Sequence, residues 1–258
     1  MNKMGDVTIF NFTGVYESED FYQKLDNPRF IECKNIKGTD CLCDEEGEKS
    51  LRTIIDTWNV PISGIHFIDN GNYHYMSYIF ASYIEEPFDL VYFDNHPDLK
   101  PTMFGDILSC GCWVKKLLDQ NTNIRKVILV GANKELFEQI PENDSKKVTY
   151  ISAKGMDEED EDIPLTKLIK RELRSDIPLY ISVDKDVLSP FELKTNWDQG
   201  TMEAKKLIQI IKNLNDSQKV LGIDICGEIS KDTECEDYDL QISNNNRFNH
   251  EIIRALIF

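Results

Sequence analysis

Short apolar runs alternate with amphipathic stretches along most of this chain, the pattern of a parallel sheet flanked by helices. Compact runs at 7–12, 64–68, 89–93, 126–130, 148–152, 179–183 and 220–225 predict strands. Between them, 76–84, 134–140, 165–174 and 204–214 carry helical spacing, and 251–258 predicts a terminal helix. Segments 37–48 and 157–162 are polar enough to be exposed loops and not domain joints. With no internal repeat and no Gly/Ser/Pro-rich linker, residues 1–258 read as one α/β domain.

Three polar motifs follow predicted strands directly, where the loops of an open parallel sheet converge on one crevice. They are Gly71-Asn-Tyr-His74, Asp94-Asn-His96-Pro-Asp98 and Ser182-Val-Asp184-Lys-Asp186. Alternate residues of an extended segment point the same way, so Asp94, His96 and Asp98 are expected to face one point. Asp184 and Asp186 repeat the spacing. Carboxylates gathered in this way repel one another and lose hydration unless a cation joins them, and a carboxylate–imidazole set suits manganese, iron or zinc. Six ligands around one ion would leave little room for water or substrate. Shared between two ions, they leave a place for a bridging hydroxide that attacks an electrophilic carbon. His74, Asp94, His96, Asp98, Asp184 and Asp186 are therefore the expected ligands of two divalent ions. Lys185 is expected to point away from them into an ion pair. Trp197, Asp198 and Gln199, on the loop after that strand, are either pocket residues or part of a packed surface loop. His66, inside a predicted strand, reads as structural, and His250 as a surface or capping histidine.

Charge narrows the partners. With 46 acidic and 29 basic residues the net charge is −17, which opposes nucleic-acid backbones and anionic membrane surfaces. The balance suits a small cationic substrate, or serves solubility alone. No apolar run approaches the ~20 residues of a membrane span, and no secretory signal is recognisable. Seven cysteines without such a signal predict reduced thiols and a cytoplasmic protein. Most are expected to be buried and inert, with a zinc knuckle at Cys33, Cys41 and Cys43 as the alternative.

On these three motifs, over residues 64–228, the sequence resembles the arginase-like ureohydrolase superfamily, which includes arginase, agmatinase and formimidoylglutamase. The resemblance implies a three-layer α/β/α fold with a mostly parallel sheet, and two Mn2+ ions, with Fe2+ or Zn2+ as alternatives. It implies that Asp94 and Asp184 bridge the metals, with His74 and Asp98 completing one ion and His96 and Asp186 the other. The implied reaction is hydrolysis of a C–N bond in a guanidino or amidino compound, with Asp98 accepting a hydrogen bond from the intermediate. Family members commonly form homo-oligomers. Arginases carry a proton-transferring histidine after the second motif, whereas 105–112 here contains none; Asp106, Ser109 or Cys110 is left to fill that role. A glutamate on the last strand usually holds the guanidinium group. Glu228 falls about one residue out of that register, so Glu228 or Asp198 is the expected cation-recognising carboxylate. An amide deacetylase of the related histone-deacetylase fold, or a non-catalytic metal-binding protein, are the rival readings.

Overall fold

In the computed structural model, which describes residues 5–102, 105–153 and 164–258, the apolar side chains sort onto two faces of one sheet. The strands among the described residues are β1 (Val7–Asn11), β2 (Arg29–Glu32), β3 (Leu42–Cys43), β4 (Ile65–Phe67), β5 (Phe88–Phe93), β6 (Leu108–Ser109), β7 (Ile124–Val130), β8 (Val148–Ile151), β9 (Leu179–Asp184) and β10 (Val220–Cys226). Eight of them form a sheet in the order β2-β1-β4-β10-β9-β5-β7-β8. Every neighbouring pair in it is parallel. β3 and β6 form a separate antiparallel pair.

Central strands of such a sheet are covered on both faces, so they read as continuous apolar runs. β5 and β9 are buried at every position. In β9, Leu179, Ile181 and Val183 face one core and Tyr180 the other. The Tyr180 face is closed by α1 (Glu45–Thr57), α2 (Met76–Ala81) and α3 (Trp113–Gln120), through Leu51, Ile55, Phe80 and Leu117. Two short helices, α4 (Lys134–Glu138) and α5 (Glu142–Ser145), connect β7 to β8. The opposite face is closed by α6 (Leu165–Glu172), α7 (Ala204–Ser217) and α8 (Tyr238–Ile257), through Ile169, Ile211 and Ile252. This is the expected three-layer α/β/α architecture.

Register aligns the strand ends that matter. Phe67 pairs with Ile225, Ile225 with Val183, and Val183 with Phe93, so the chain leaves β4, β10, β9 and β5 at one level. One buried polar strut crosses these strands. His66 Nδ1 lies 2.8 Å from Asp224 Oδ1 and Nε2 lies 2.8 Å from the Pro61 carbonyl, while the Tyr180 hydroxyl donates to the Asp224 carboxylate at 2.8 Å. His66 is thus a core residue.

Two segments differ from expectation, and a third lies outside the described residues. Segment 37–48, expected as a loop, contains β3 and the start of α1. Gly47, Leu51 and Ile55 are the buried residues of α1, a stripe too narrow to stand out among charges. Its start is nevertheless well specified: Asp44 Oδ1 accepts the Gly47 amide at 2.8 Å, and Glu45, Glu46 and Glu48 complement the helix dipole. The terminal helix begins at Tyr238, not at 251, because its inward face carries Asn245 and Asn249, whose polarity hides the periodicity. The acidic segment 157–162 lies outside the described residues. Among those residues no helix is long and apolar enough to cross a membrane. Asp44→Ala removes the α1 cap and is expected to lower the unfolding free energy by about 1 kcal/mol, read as a lower urea midpoint at unchanged slope.

Candidate metal centre

Each motif is shaped by a short polar side chain that caps the backbone just ahead of it. Asn70 Oδ1 accepts the Asn72 amide at 3.0 Å and starts the turn Gly71–Tyr73, which delivers His74. Asp94 Oδ1 accepts the His96 amide at 2.6 Å, and Asp184 Oδ1 the Asp186 amide at 2.9 Å. Such turns let Asn and Asp satisfy backbone donors where a strand stops. The convergence of Asp94, His96 and Asp98 therefore comes from a turn, and not from an extended segment as expected. Asp98 sits at φ +50°, a left-handed conformation that Asp tolerates better than most residues.

Asp94 stands at the middle of the cluster. Its Oδ2 lies 3.1 Å from His74 Nδ1, which in turn lies 3.2 Å from Asp98 Oδ2 and 3.6 Å from Asp184 Oδ2. Its Oδ1 faces His96 Nδ1 at 3.5 Å, and that nitrogen lies 2.8 Å from Asp186 Oδ2. Around this core the orientations are fixed by hydrogen bonds. His74 Nε2 meets Ser182 Oγ at 2.9 Å, Trp113 Nε1 donates to Asp98 Oδ2 at 2.5 Å, and the Asn95 amide donates to Asp186 Oδ1 at 2.9 Å. Gly71 is required by the crowding: a Cβ there would stand 2.6 Å from Trp197 Cδ1 and 3.0 Å from Asp184 Oδ2.

The electrostatics describe a site short of positive charge. Burial pulls the His74 imidazole down, but the Asp94 and Asp98 carboxylates close to its Nδ1 outweigh that effect and hold the ring well above its ordinary value. His96 is raised in the same way, to about 12, through Asp186 and Asp94. Burial, followed by the Asp94 charge, pushes the Asp98 carboxyl up to about 7. Asp186 is pushed well up by burial and then by Asp184 and Asp94. Protons thus gather where cations would relieve the repulsion. Asp94 Oδ2 is buried without a hydrogen-bond partner despite its closeness to His74, as a ligand atom aimed at a shared gap would be. His74, Asp94 and Asp98 form one group able to hold an ion, and Asp94, His96 and Asp186 a second. A third group joins His74 and Asp184 to Cys226, whose Sγ donates to Asp184 Oδ2 at 3.1 Å. The cluster lines a cavity of about 210 Å³ whose walls also include Pro97, Leu99, Leu136, Ile140 and Trp197.

The sequence profile of the arginase family matches residues 23–231. This chain belongs to the arginase family. An uncharacterized protein of Thermotoga maritima is 29% identical to it over 252 residues, covering 98% of this chain and 90% of that one. Formimidoylglutamase from Bacillus subtilis superposes with a TM-score of 0.69 at 17% identity, covering 99% of this chain and 88% of its own. A triple mutant of the T. brucei arginase-like protein, bound with Mn2+, gives a TM-score of 0.61 at 18% identity, covering 100% and 92%. Members of the arginase family are hydrolases of C–N bonds and typically bind divalent metals.

Outside the six clustered residues, this arginase-family chain arranges its side chains differently from expectation. Glu228 does not reach the cavity. It is fully buried, its Oε1 lies 2.5 Å from Lys185 Nζ, and Asn249 Nδ2 donates to it at 2.8 Å. The cation it recognises is the chain's own lysine. Lys185 turns away from the cluster as expected and also donates to Asn245 Oδ1 at 2.7 Å. Asp198 is exposed and contributes its carbonyl to Asn95, so its carboxylate is not a wall of the cavity. Asp106 is exposed beside Lys116, accepts from Gln120 Nε2 at 3.3 Å, and stands away from the cavity.

Cys110 does line the cavity, but its hydrogen bond with Cys41 and its burial push the thiol up and keep its proton in place. Ser109 is engaged in the β3–β6 pair. Trp197 lines the cavity, with Nε1 donating to Asn72 Oδ1 at 2.9 Å and its ring edge-on to His96. Gln199 instead clamps its own loop through the Leu188 and Leu193 carbonyls. His250 is a surface residue paired with Asp20 at 2.9 Å. Cys33, Cys41 and Cys43 make no metal-holding group among the described residues. Cys226 and Trp113 carried no signal in the sequence, because both reach the cluster through pairing and packing. Lys185→Met strands Glu228 as a buried charge without its cation. The expected loss is about 3–5 kcal/mol of stability, measured by urea unfolding.

Proposed function

We propose that this chain is a binuclear metal-dependent hydrolase that cleaves a C–N bond in a small guanidino, amidino or related compound. The observation that carries the reading is the double membership of Asp94: Oδ2 faces His74 and Oδ1 faces His96, so one carboxylate serves both groups. His74, Asp94 and Asp98 would hold one ion, with Asp184 against it, and Asp94, His96 and Asp186 the other. Divalent ions bound there lower the pKa of water towards neutrality and offset the charge that develops as a planar carbon is attacked. A carboxylate-rich set suits manganese first, with iron and zinc as alternatives.

The chain's own residues enclose and aim. Trp197, anchored on Asn72, walls the cavity beside His96, with ring centroids 5.6 Å apart. The apolar walls bind the body of a substrate and keep bulk water from the reacting carbon. Among the described residues, Lys100 is the charged wall residue outside the metal set, since Glu228 and Asp198 are engaged elsewhere. This favours a substrate with a neutral or anionic end over one carrying a free cation. We place the protein in a reducing cytoplasm, where its unpaired cysteines stay as thiols.

Elemental analysis of the purified chain tests the reading. About two ions per chain are expected for the wild type, about one for Asp186→Asn, and close to none for Asp94→Asn. A screen of guanidino, amidino and formimino compounds for urea, ammonia or formamide release then identifies the substrate. One zinc per chain with release of acetate from acylated amines would favour a deacetylase, and no metal after reconstitution would sink the proposal.

A further inference from the structure

Resting on the binuclear reading above, we propose that the Cys226 thiol is a further ligand of the site, giving the ion on the His74 side a sulfur donor. Cys226 ends β10 fully buried, and the sheet register pairs it with Asp184. Its Sγ lies 3.1 Å from Asp184 Oδ2, and the sulfur, that carboxylate and a His74 ring nitrogen are all within 4.8 Å of one another. Ligand bonds of ~2.0–2.3 Å to a common ion span such separations with small side-chain adjustments. A second observation concerns the neighbouring group, which shares His74 with this one. Asp94 Oδ2 is buried, has no hydrogen-bond partner, and stands 3.1 Å from His74 Nδ1.

The local backbone keeps the sulfur close. Gly227 follows at φ +94°, and a Cβ there would stand 2.5 Å from Asp184 Oδ1. The residue after Cys226 therefore has no side chain to come between Asp184 and the strand end. On coordination the S–H bond gives its proton to water and the sulfur lone pair forms the bond to the ion. No oxidant or reductant enters.

The consequence is a site with two unequal positions. Asp94, His96 and Asp186 offer only nitrogen and oxygen, whereas the group of His74, Asp184 and Cys226 adds a soft donor. Thiolate selects zinc or iron over manganese, so the His74-side position takes the softer ion.

The test is a cobalt titration of the metal-free full-length chain, followed by absorption spectroscopy. A thiolate–cobalt bond produces an intense near-ultraviolet charge-transfer band that nitrogen and oxygen ligands do not. The band is expected in the wild type, growing over one of the bound equivalents. Cys226→Ser is expected to bind cobalt without the band and to lose zinc-over-manganese preference by at least about tenfold, since even residues behind the ligands shift metal affinity by about 10–100-fold. Cys110→Ser, which removes the cavity-lining thiol, is expected to keep the band. Cobalt bound by the wild type with no band overturns the proposal while leaving the binuclear reading intact. So does a band that disappears in Cys110→Ser. No cobalt binding at all overturns both. Should Cys226→Ser fail to fold, the wild-type and Cys110→Ser spectra decide.

Discussion

Asp94, Asp98, Asp184 and Asp186 are almost wholly removed from water and stand around only two imidazoles. Buried charge without compensation is among the most costly features a fold can carry. The surrounding architecture answers that cost. Parallel register sets the ends of β4, β10, β9 and β5 side by side, the three capped turns bring the six side chains together, and the amides of Asn95, His96 and Asp186 are spent on carboxylate oxygens. Trp113 fixes Asp98 and Ser182 fixes His74. What remains is a concave array of acceptors, whose residual repulsion bound cations would relieve.

Lys185 shows how the front and back of one strand end are kept apart. It sits in sequence between two clustered aspartates, close enough to neutralise either. Its side chain instead passes to the other face of the sheet, where Glu228, Asn245 and Asn249 surround the ammonium group. Glu19 joins them, raised well above the usual carboxylate range by burial and by the Glu228 charge, so that it keeps its proton. The front is left negative and the back is balanced. Among the described residues, the carboxylates that line the cavity are therefore those of the cluster itself, because Glu228 is committed to the lysine.

Much of this was legible in the sequence, for physical reasons. A strand buried on both faces must be an apolar run, so β5, β7, β9 and β10 announced themselves, and the polar residues that end such runs had to be turns or ligands. The six clustered residues were found because aspartate and histidine at strand ends have few other roles. Residues that act through tertiary neighbours were not legible. Cys226 reaches the cluster only through its pairing with β9, and Trp113 only through the packing of α3. Glu228 was misplaced because the side of the sheet it occupies is set by the turn at Gly227, which composition does not reveal. α1 was missed because Leu51 and Ile55 are a thin apolar line in a highly charged helix, and α8 was shortened because its buried face is partly amide.

The partners of Lys185 come from distant parts of the chain. Asn245 and Asn249 lie 60 and 64 residues after it, and Asn249 also holds Glu19, 230 residues away. Contacts of such long sequence separation carry a loop-closure cost that slows folding. Residues near both ends of the described chain thus meet behind the strand end bearing Asp184 and Asp186. A cation taken up by the finished cluster would meet ligands already placed by the fold, unlike small zinc modules in which the ion organises the chain. During synthesis, Lys185 would lack Asn245 and Asn249 until α8 emerges.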